Sequence, residues 1–144
     1  ETNLHGPSAT VAAVVPALLE QGHGTIGLVS SVAGYGGLPK ALVYGASKAA
    51  LINFAETLYF DLRPRGLGVA LVSPGFVKTP LTDRNAFRMP FLIEADEAAR
   101  EIVAGLERGD FEIHFPRSFT RRMKLLNLLP YRWYFAAVRK ATGL

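Results

Sequence analysis

The chain has 144 residues, 49% of them hydrophobic, which is enough for one domain with a buried core and too little for two. It contains no cysteine, so disulfides, thiolate metal sites and cysteine nucleophiles are excluded, and His5, His23 and His114 stand too far apart for any metal-ligand spacing. The net charge of +4 is uneven: residues 117 to 144 hold seven of the sixteen basic residues and none of the twelve acids, so a basic tail follows a body of nine bases against twelve acids.

No metal is expected. Nor is a nucleic-acid partner, because the body is acidic and lacks a recognition element. No apolar run approaches the roughly 18 residues that cross a bilayer, and "ETNLHGPS" lacks the basic start and apolar stretch of a secretion signal. A cytoplasmic location is the expectation.

Residues 8 to 21, "SATVAAVVPALLEQ", read as a helix opening on a Ser8 cap and stopping at Gly22, with a kink or local strain at Pro16. "GTIGLVSS" is a short apolar run without alternation, the pattern of a strand in a parallel sheet buried on both faces. A glycine-rich loop, "VAGYGGLP", leads into a helix over about residues 41 to 63, where Leu51, Phe54, Ala55, Leu58 and Leu62 recur at helical spacing before Pro64 and Gly66. "GVALVS" is a second strand, broken by Pro74 and Gly75. Residues 95 to 108 form an amphipathic helix with Asp96 and Glu97 in the first turn, where the helix dipole favours anions, and "FEIHF" is a third strand.

Strands alternating with helices of these lengths predict a three-layer, doubly wound α/β fold around a parallel sheet. Three strands are few for such a sheet, and no G-x-G-x-x-G turn leads from a strand into a helix, the one match, "GHGTIG" at residues 22–27, running from a helix into a strand. The chain is therefore expected to be the second half of a Rossmann-like domain, with residues 1–116 as its body and 117–144 as a basic, aromatic helical extension.

The polar residues cluster where such folds bind ligands, outside the carboxyl edge of the sheet. Ser30 and Ser31 end the first strand, the Pro74–Gly75 loop follows the second, and Tyr44 and Lys48 open the connecting helix. Residues four apart on a helix are neighbours, so Lys48 can favour the phenolate of Tyr44 electrostatically. A free phenol, with a pKa of about 10, is too weak a base near neutrality, and a nearby cation brings it toward the range of general acid–base work. Ser31, thirteen positions before Tyr44, can donate to the same substrate oxygen.

This set resembles the short-chain dehydrogenases/reductases. Their Y-x-x-x-K motif stands here as "YGASK", their strand-end serine as Ser31 in "SSVAG", their asparagine motif as Asn3 in "NLHG", and their cofactor loop as "PGFVKT". The resemblance covers roughly residues 1 to 115, and the family's N-terminal glycine-rich motif is absent from the chain. It implies an oxidoreductase that moves a hydride between NADP or NAD, with NADP slightly favoured, and a carbonyl or alcohol. Tyr44 would be the acid–base and Lys48 would hold the nicotinamide ribose. Ser31 would polarise the carbonyl, and Asn3, at a disturbance early in its helix, would hold a water linked to Lys48. Pro74, Gly75, Val77 and Thr79 would orient the carboxamide and phosphates. The family pairs its subunits through helices matching residues 8–21 and 41–63, which implies a homodimer or tetramer. The 144 residues alone are expected to be inactive.

Each residue also has an ordinary reading. Tyr44 could be a helix-start aromatic and Lys48 a solvated charge. Ser31 could simply end its strand, with Ser30 a decoy set aside by spacing, and Asn3 could be a plain turn or cap. Thr79 could cap a short helix at Pro80. A chain of this kind could also be a non-catalytic interaction or membrane-surface module that retains the fold.

The segment "LTDRNAFRMPFL", with Phe87, Met89, Phe91 and Leu92, falls where the family's substrate loop lies and suggests an apolar small-molecule substrate. In the tail, helical spacing lines up Phe119, Met123, Leu126 and Leu129, and Pro130 breaks the pattern before Tyr131, Trp133, Tyr134 and Phe135. Such a pair of helices packs on its own body, the cleft or a partner subunit, or makes peripheral contact with an anionic membrane.

Overall fold

The computed structural model describes residues 3–80, 82 and 89–143. In chain order its elements are α1 (His5–Gln21), β1 (Thr25–Val29), a 3₁₀ turn (Val32–Gly34), α2 (Leu42–Leu62), β2 (Gly68–Pro74), α3 (Ala95–Arg108), β3 (Glu112–Phe115), α4 (Arg117–Asn127) and α5 (Tyr131–Thr142). The strands form one parallel sheet in the order β1-β2-β3, with Val29 opposite Val72 and Pro74 opposite Phe115.

Side chains of β2 alternate between two cores, as the pleat requires. Val69 and Leu71 join Ile26 and Leu28 beneath α1 and α2, where Val11, Ala55 and Leu62 close the layer. Ala70 and Val72 face the other way, with Ile113 and Phe115, against Ala98 of α3. Gly105 lets α3 approach closely, since a Cβ there would stand 2.5 Å from the Ile113 side chain. The fold is a three-layer, Rossmann-like α/β arrangement.

Two expectations are corrected. Helix α1 starts at His5, and Ser8 lies inside it, its hydroxyl donating to the His5 carbonyl. Pro7 does not interrupt the helix because amide groups of the first turn have no helical acceptor. The second correction concerns β1, which is buried on one face only: Ile26 and Leu28 are covered, while Thr25, Gly27 and Val29 are exposed. Helix α3 packs on β2 and β3, so among the described residues it leaves the second face of β1 open.

Candidate active site

The carboxyl end of β1 and the start of α2 are stitched together. Ser30 extends the strand ladder through its amide, which donates to the Val72 carbonyl at 2.7 Å. Its hydroxyl donates to the backbone carbonyl of Lys48 at 2.8 Å. Ser31, also buried, caps the 3₁₀ turn by accepting from the Ala33 amide at 3.2 Å, which leaves its own hydroxyl hydrogen free to donate. Gly34 closes that turn against α2 so tightly that a Cβ would lie 2.7 Å from the Lys48 carbonyl carbon and 2.9 Å from the Ala49 nitrogen.

Tyr44 and Lys48 occupy successive turns of α2. The Tyr44 side chain is 48% exposed, and among the described residues no hydrogen bond holds its hydroxyl. Lys48 Nζ lies 5.7 Å from the centre of the Tyr44 ring and donates to the Val29 carbonyl at 2.9 Å. An ammonium has three N–H donors, so two remain without a partner among the described residues. Burial of the Lys48 stem pulls its pKa below the ordinary lysine value, because desolvation disfavours the charged form.

Asn3 sits in the turn before α1 rather than within a helical disturbance, and its amide donates to Ser47 Oγ at 3.1 Å. Ser47 in turn donates to the Tyr44 carbonyl at 2.7 Å. Asn3 thus reaches the residue next to Lys48.

The loop after β2 is held by neighbours on both sides. The Gly75 amide donates to the Phe115 carbonyl at 2.8 Å, Val77 bridges to Ile93, and the Lys78 amide donates to the Ile93 carbonyl at 2.9 Å. Thr82 pins the next residues: its hydroxyl donates to the Val77 carbonyl at 2.8 Å and accepts from the Thr79 amide at 2.8 Å. The Thr82 amide donates back to Thr79 Oγ1 at 3.3 Å, so the Thr79 hydroxyl is engaged in a local cap. Thr82 was not singled out by the sequence, although its spacing of three from Thr79 is a capping signal.

The aromatic wall beside this loop comes partly from the tail. Phe119 of α4 stacks on Phe76 at 5.9 Å and on Phe91 at 5.5 Å, with the Arg122 guanidinium 5.3 Å from the Phe91 ring centre. Phe87 lies outside the described residues. The tail also braces the loop between Ser31 and Tyr44. Tyr35 Oη donates to Glu112 Oε1 at 2.8 Å, Lys124 pairs with the other oxygen of Glu112, and Tyr134 Oη donates to the Gly37 carbonyl at 2.8 Å. Burial pushes the Tyr35 hydroxyl well above the ordinary tyrosine range.

Ser31, Tyr44, Lys48 and the Pro74–Thr79 loop thus lie on the carboxyl side of the strands, where open α/β sheets take ligands. A family model described as short chain dehydrogenase matches residues 1–88. The chain belongs to that family. It is 41% identical over 140 residues to an uncharacterized oxidoreductase of Myxococcus xanthus, covering 97% of this chain and 55% of that protein. Among solved structures it resembles a short chain dehydrogenase from Burkholderia cenocepacia in complex with NADP, with a TM-score of 0.82 at 28% identity over 94% of this chain and 55% of that one. It also resembles a short chain dehydrogenase/reductase from Burkholderia phymatum in complex with NAD, with a TM-score of 0.74 at 26% identity over 85% of this chain and 54% of that one. The chain spans about half the length of these relatives.

Proposed function

We propose that this chain is the catalytic half, residues 1–116, of an NAD(P)-dependent oxidoreductase acting on an apolar carbonyl or alcohol, with residues 117–144 as an extension. The observation that carries the reading is the pairing on α2: an exposed Tyr44, whose hydroxyl has no hydrogen-bond partner among the described residues, beside a Lys48 ammonium anchored to the Val29 carbonyl.

The donor set fits the nicotinamide end of the cofactor. The two N–H donors of Lys48 that are unpaired among the described residues suit a ribose diol, and the loop from Pro74 to Thr79 follows β2 on the same carboxyl side of the sheet. The bound nicotinamide supplies or accepts the hydride at the carbonyl carbon. In the reductive direction Tyr44 gives its phenolic proton to the carbonyl oxygen, and the Ser31 hydroxyl donates to the same oxygen as negative charge develops there. The Lys48 cation stabilises the phenolate left behind. In the oxidative direction the phenolate takes the alcohol proton.

The cofactor of this reading is NADP or NAD, with NADP slightly favoured. The one G-x-G-x-x-G match, "GHGTIG" at residues 22–27, leads from α1 into β1 and not from a strand into a helix, so it is no dinucleotide turn and the 144 residues by themselves are proposed to be inactive. The exposed Leu42, Val43 and Phe60 of α2 support pairing of subunits through this helix. The test is to assay the full protein with NADPH and NADH against a panel of apolar ketones, aldehydes and alcohols. Dinucleotide-dependent turnover supports the proposal. A folded protein that neither binds dinucleotide nor turns over any of them points to a non-catalytic module.

A further inference from the structure

Helices α4 and α5 use few side chains to pack on the body. Thr120, Tyr134 and Val138 are buried, and Phe119, Met123 and Leu126 are half-buried. Around the turn at Pro130 a different set stands in the open. Leu128 is 79% exposed, Tyr131 78% and Trp133 56%, with Leu125, Leu129 and Phe135 exposed beside them. The Tyr131 and Phe135 rings stack at 5.6 Å, so part of this surface is already organised. Single exposed apolar residues are ordinary; six within residues 125–135, around the connection between two helices, mark an interaction surface.

The charge around this tip has one sign. Lys124 is neutralised by Glu112. Among the described residues no acid pairs with Arg117, Arg121, Arg122, Arg132, Arg139 or Lys140. Arg132 lies over the Trp133 ring, 5.0 Å from its centre, which couples a cation to an aromatic at the rim. Trp and Tyr settle at the headgroup level of a bilayer, leucines go below it, and arginines reach lipid phosphates with their stems on apolar surface.

We propose that the α4–α5 turn docks on an anionic lipid bilayer, with Leu125, Leu128, Tyr131, Trp133 and Phe135 entering the headgroup–acyl boundary and the surrounding arginines meeting the phosphates. A second copy of the chain is a poorer occupant, because self-pairing sets one cluster of unneutralised cations against another. A nucleic acid satisfies the cations and leaves the leucines in water.

The test is co-sedimentation of the full protein with phosphatidylcholine vesicles, with and without phosphatidylglycerol. Binding should require phosphatidylglycerol. It should fall at least about tenfold as salt rises from about 50 to 500 mM, which shortens the Debye length from roughly 14 to 4 Å. Two variants separate the contributions. Leu128→Glu with Trp133→Glu should abolish vesicle binding without changing the circular dichroism or the sedimentation of the lipid-free protein, since both side chains are exposed. Arg121→Gln with Arg139→Gln should weaken binding and flatten its salt dependence. Equal pelleting with and without phosphatidylglycerol, or wild-type pelleting by the double glutamate variant, would overturn the proposal. So would a drop in the lipid-free sedimentation coefficient of that variant, which would make the tip an interface between copies. Equal retention of wild type and double glutamate variant on an immobilised anionic polypeptide, with no vesicle binding by either, would assign the surface to an acidic protein instead.

Discussion

The Ser30 hydroxyl donates a 2.8 Å hydrogen bond to the backbone carbonyl of Lys48, fastening the end of β1 to the helix that carries Tyr44. Ser30 is buried, so Ser30→Ala removes a part-buried bond and should cost about 1 kcal/mol. It should also lower turnover by loosening Lys48. Urea unfolding and steady-state kinetics of the full protein check both effects, and a variant unchanged in both would show that the bond positions nothing.

Gly34 and Gly37 make a paired test of the loop between Ser31 and Tyr44. A Cβ on Gly34 meets α2 backbone at 2.7 and 2.9 Å, whereas one on Gly37 meets nothing within 4 Å. Neither glycine has the positive φ that alanine would resist. Gly34→Ala should therefore destabilise by about 1–3 kcal/mol through overpacking and impair activity by displacing Lys48. Gly37→Ala should be nearly neutral. Equal effects would mean that the contact between the turn and α2 is not the constraint.

Much of the fold was legible because its signals are local. Helix α3 is marked at its start by Asp96 and Glu97 and at its end by Gly109, which adopts a left-handed φ of 70°. Gly22 likewise ends α1 at φ 78°. The start of α1 is obscured in the sequence because Gly6 and Pro7 resemble breakers. The one-sided burial of β1 was hidden because apolar composition does not reveal which neighbours cover a strand. Spacing favours Ser31 over Ser30, yet the Ser30 hydroxyl ties β1 to α2, a role that only the approach of the two elements makes visible. In the tail both sides of the helices carry apolar residues, so the sequence could not say that Tyr134 and Val138 are buried while Trp133 and Tyr131 are not.

His114 makes stability depend on pH. Its ring nitrogen shares a 2.6 Å hydrogen bond with Thr120 Oγ1. Burial, then Lys124, lower its pKa from the ordinary 6.5; Glu112 opposes them, and Arg117 and Arg121 add smaller reductions. Between the lowered folded value and about 6.5 the unfolded chain binds more protons than the folded one, so stability rises with pH there. Stability should be lost as pH falls through about 6.5 toward the folded value. In His114→Gln the decline in Tm from about pH 7 to about pH 5 should be shallower than in wild type. An unchanged slope would remove His114 from the account.

Lys48 trades stability for function. Its depressed pKa means that the folded state disfavours the charged ammonium, a penalty present at neutral pH and relieved only as pH rises through the lowered value toward the ordinary one. Lys48→Met keeps the stem and removes the charge, and loses one bond to the exposed Val29 carbonyl. Its Tm at neutral pH should be no lower than wild type, while turnover collapses and dinucleotide affinity weakens. A Tm fall of several degrees would mean that Lys48 is held for structure.

The most direct measurement is the turnover of the full protein carrying Tyr44→Phe, read beside its affinity for NADPH or NADH. The substitution deletes a hydroxyl that makes no hydrogen bond among the described residues and leaves the ring under Lys48 in place. The account predicts a kcat lower by about 10²- to 10⁴-fold, with dinucleotide affinity within about twofold of wild type. Near-normal turnover by the Tyr44→Phe protein would contradict it.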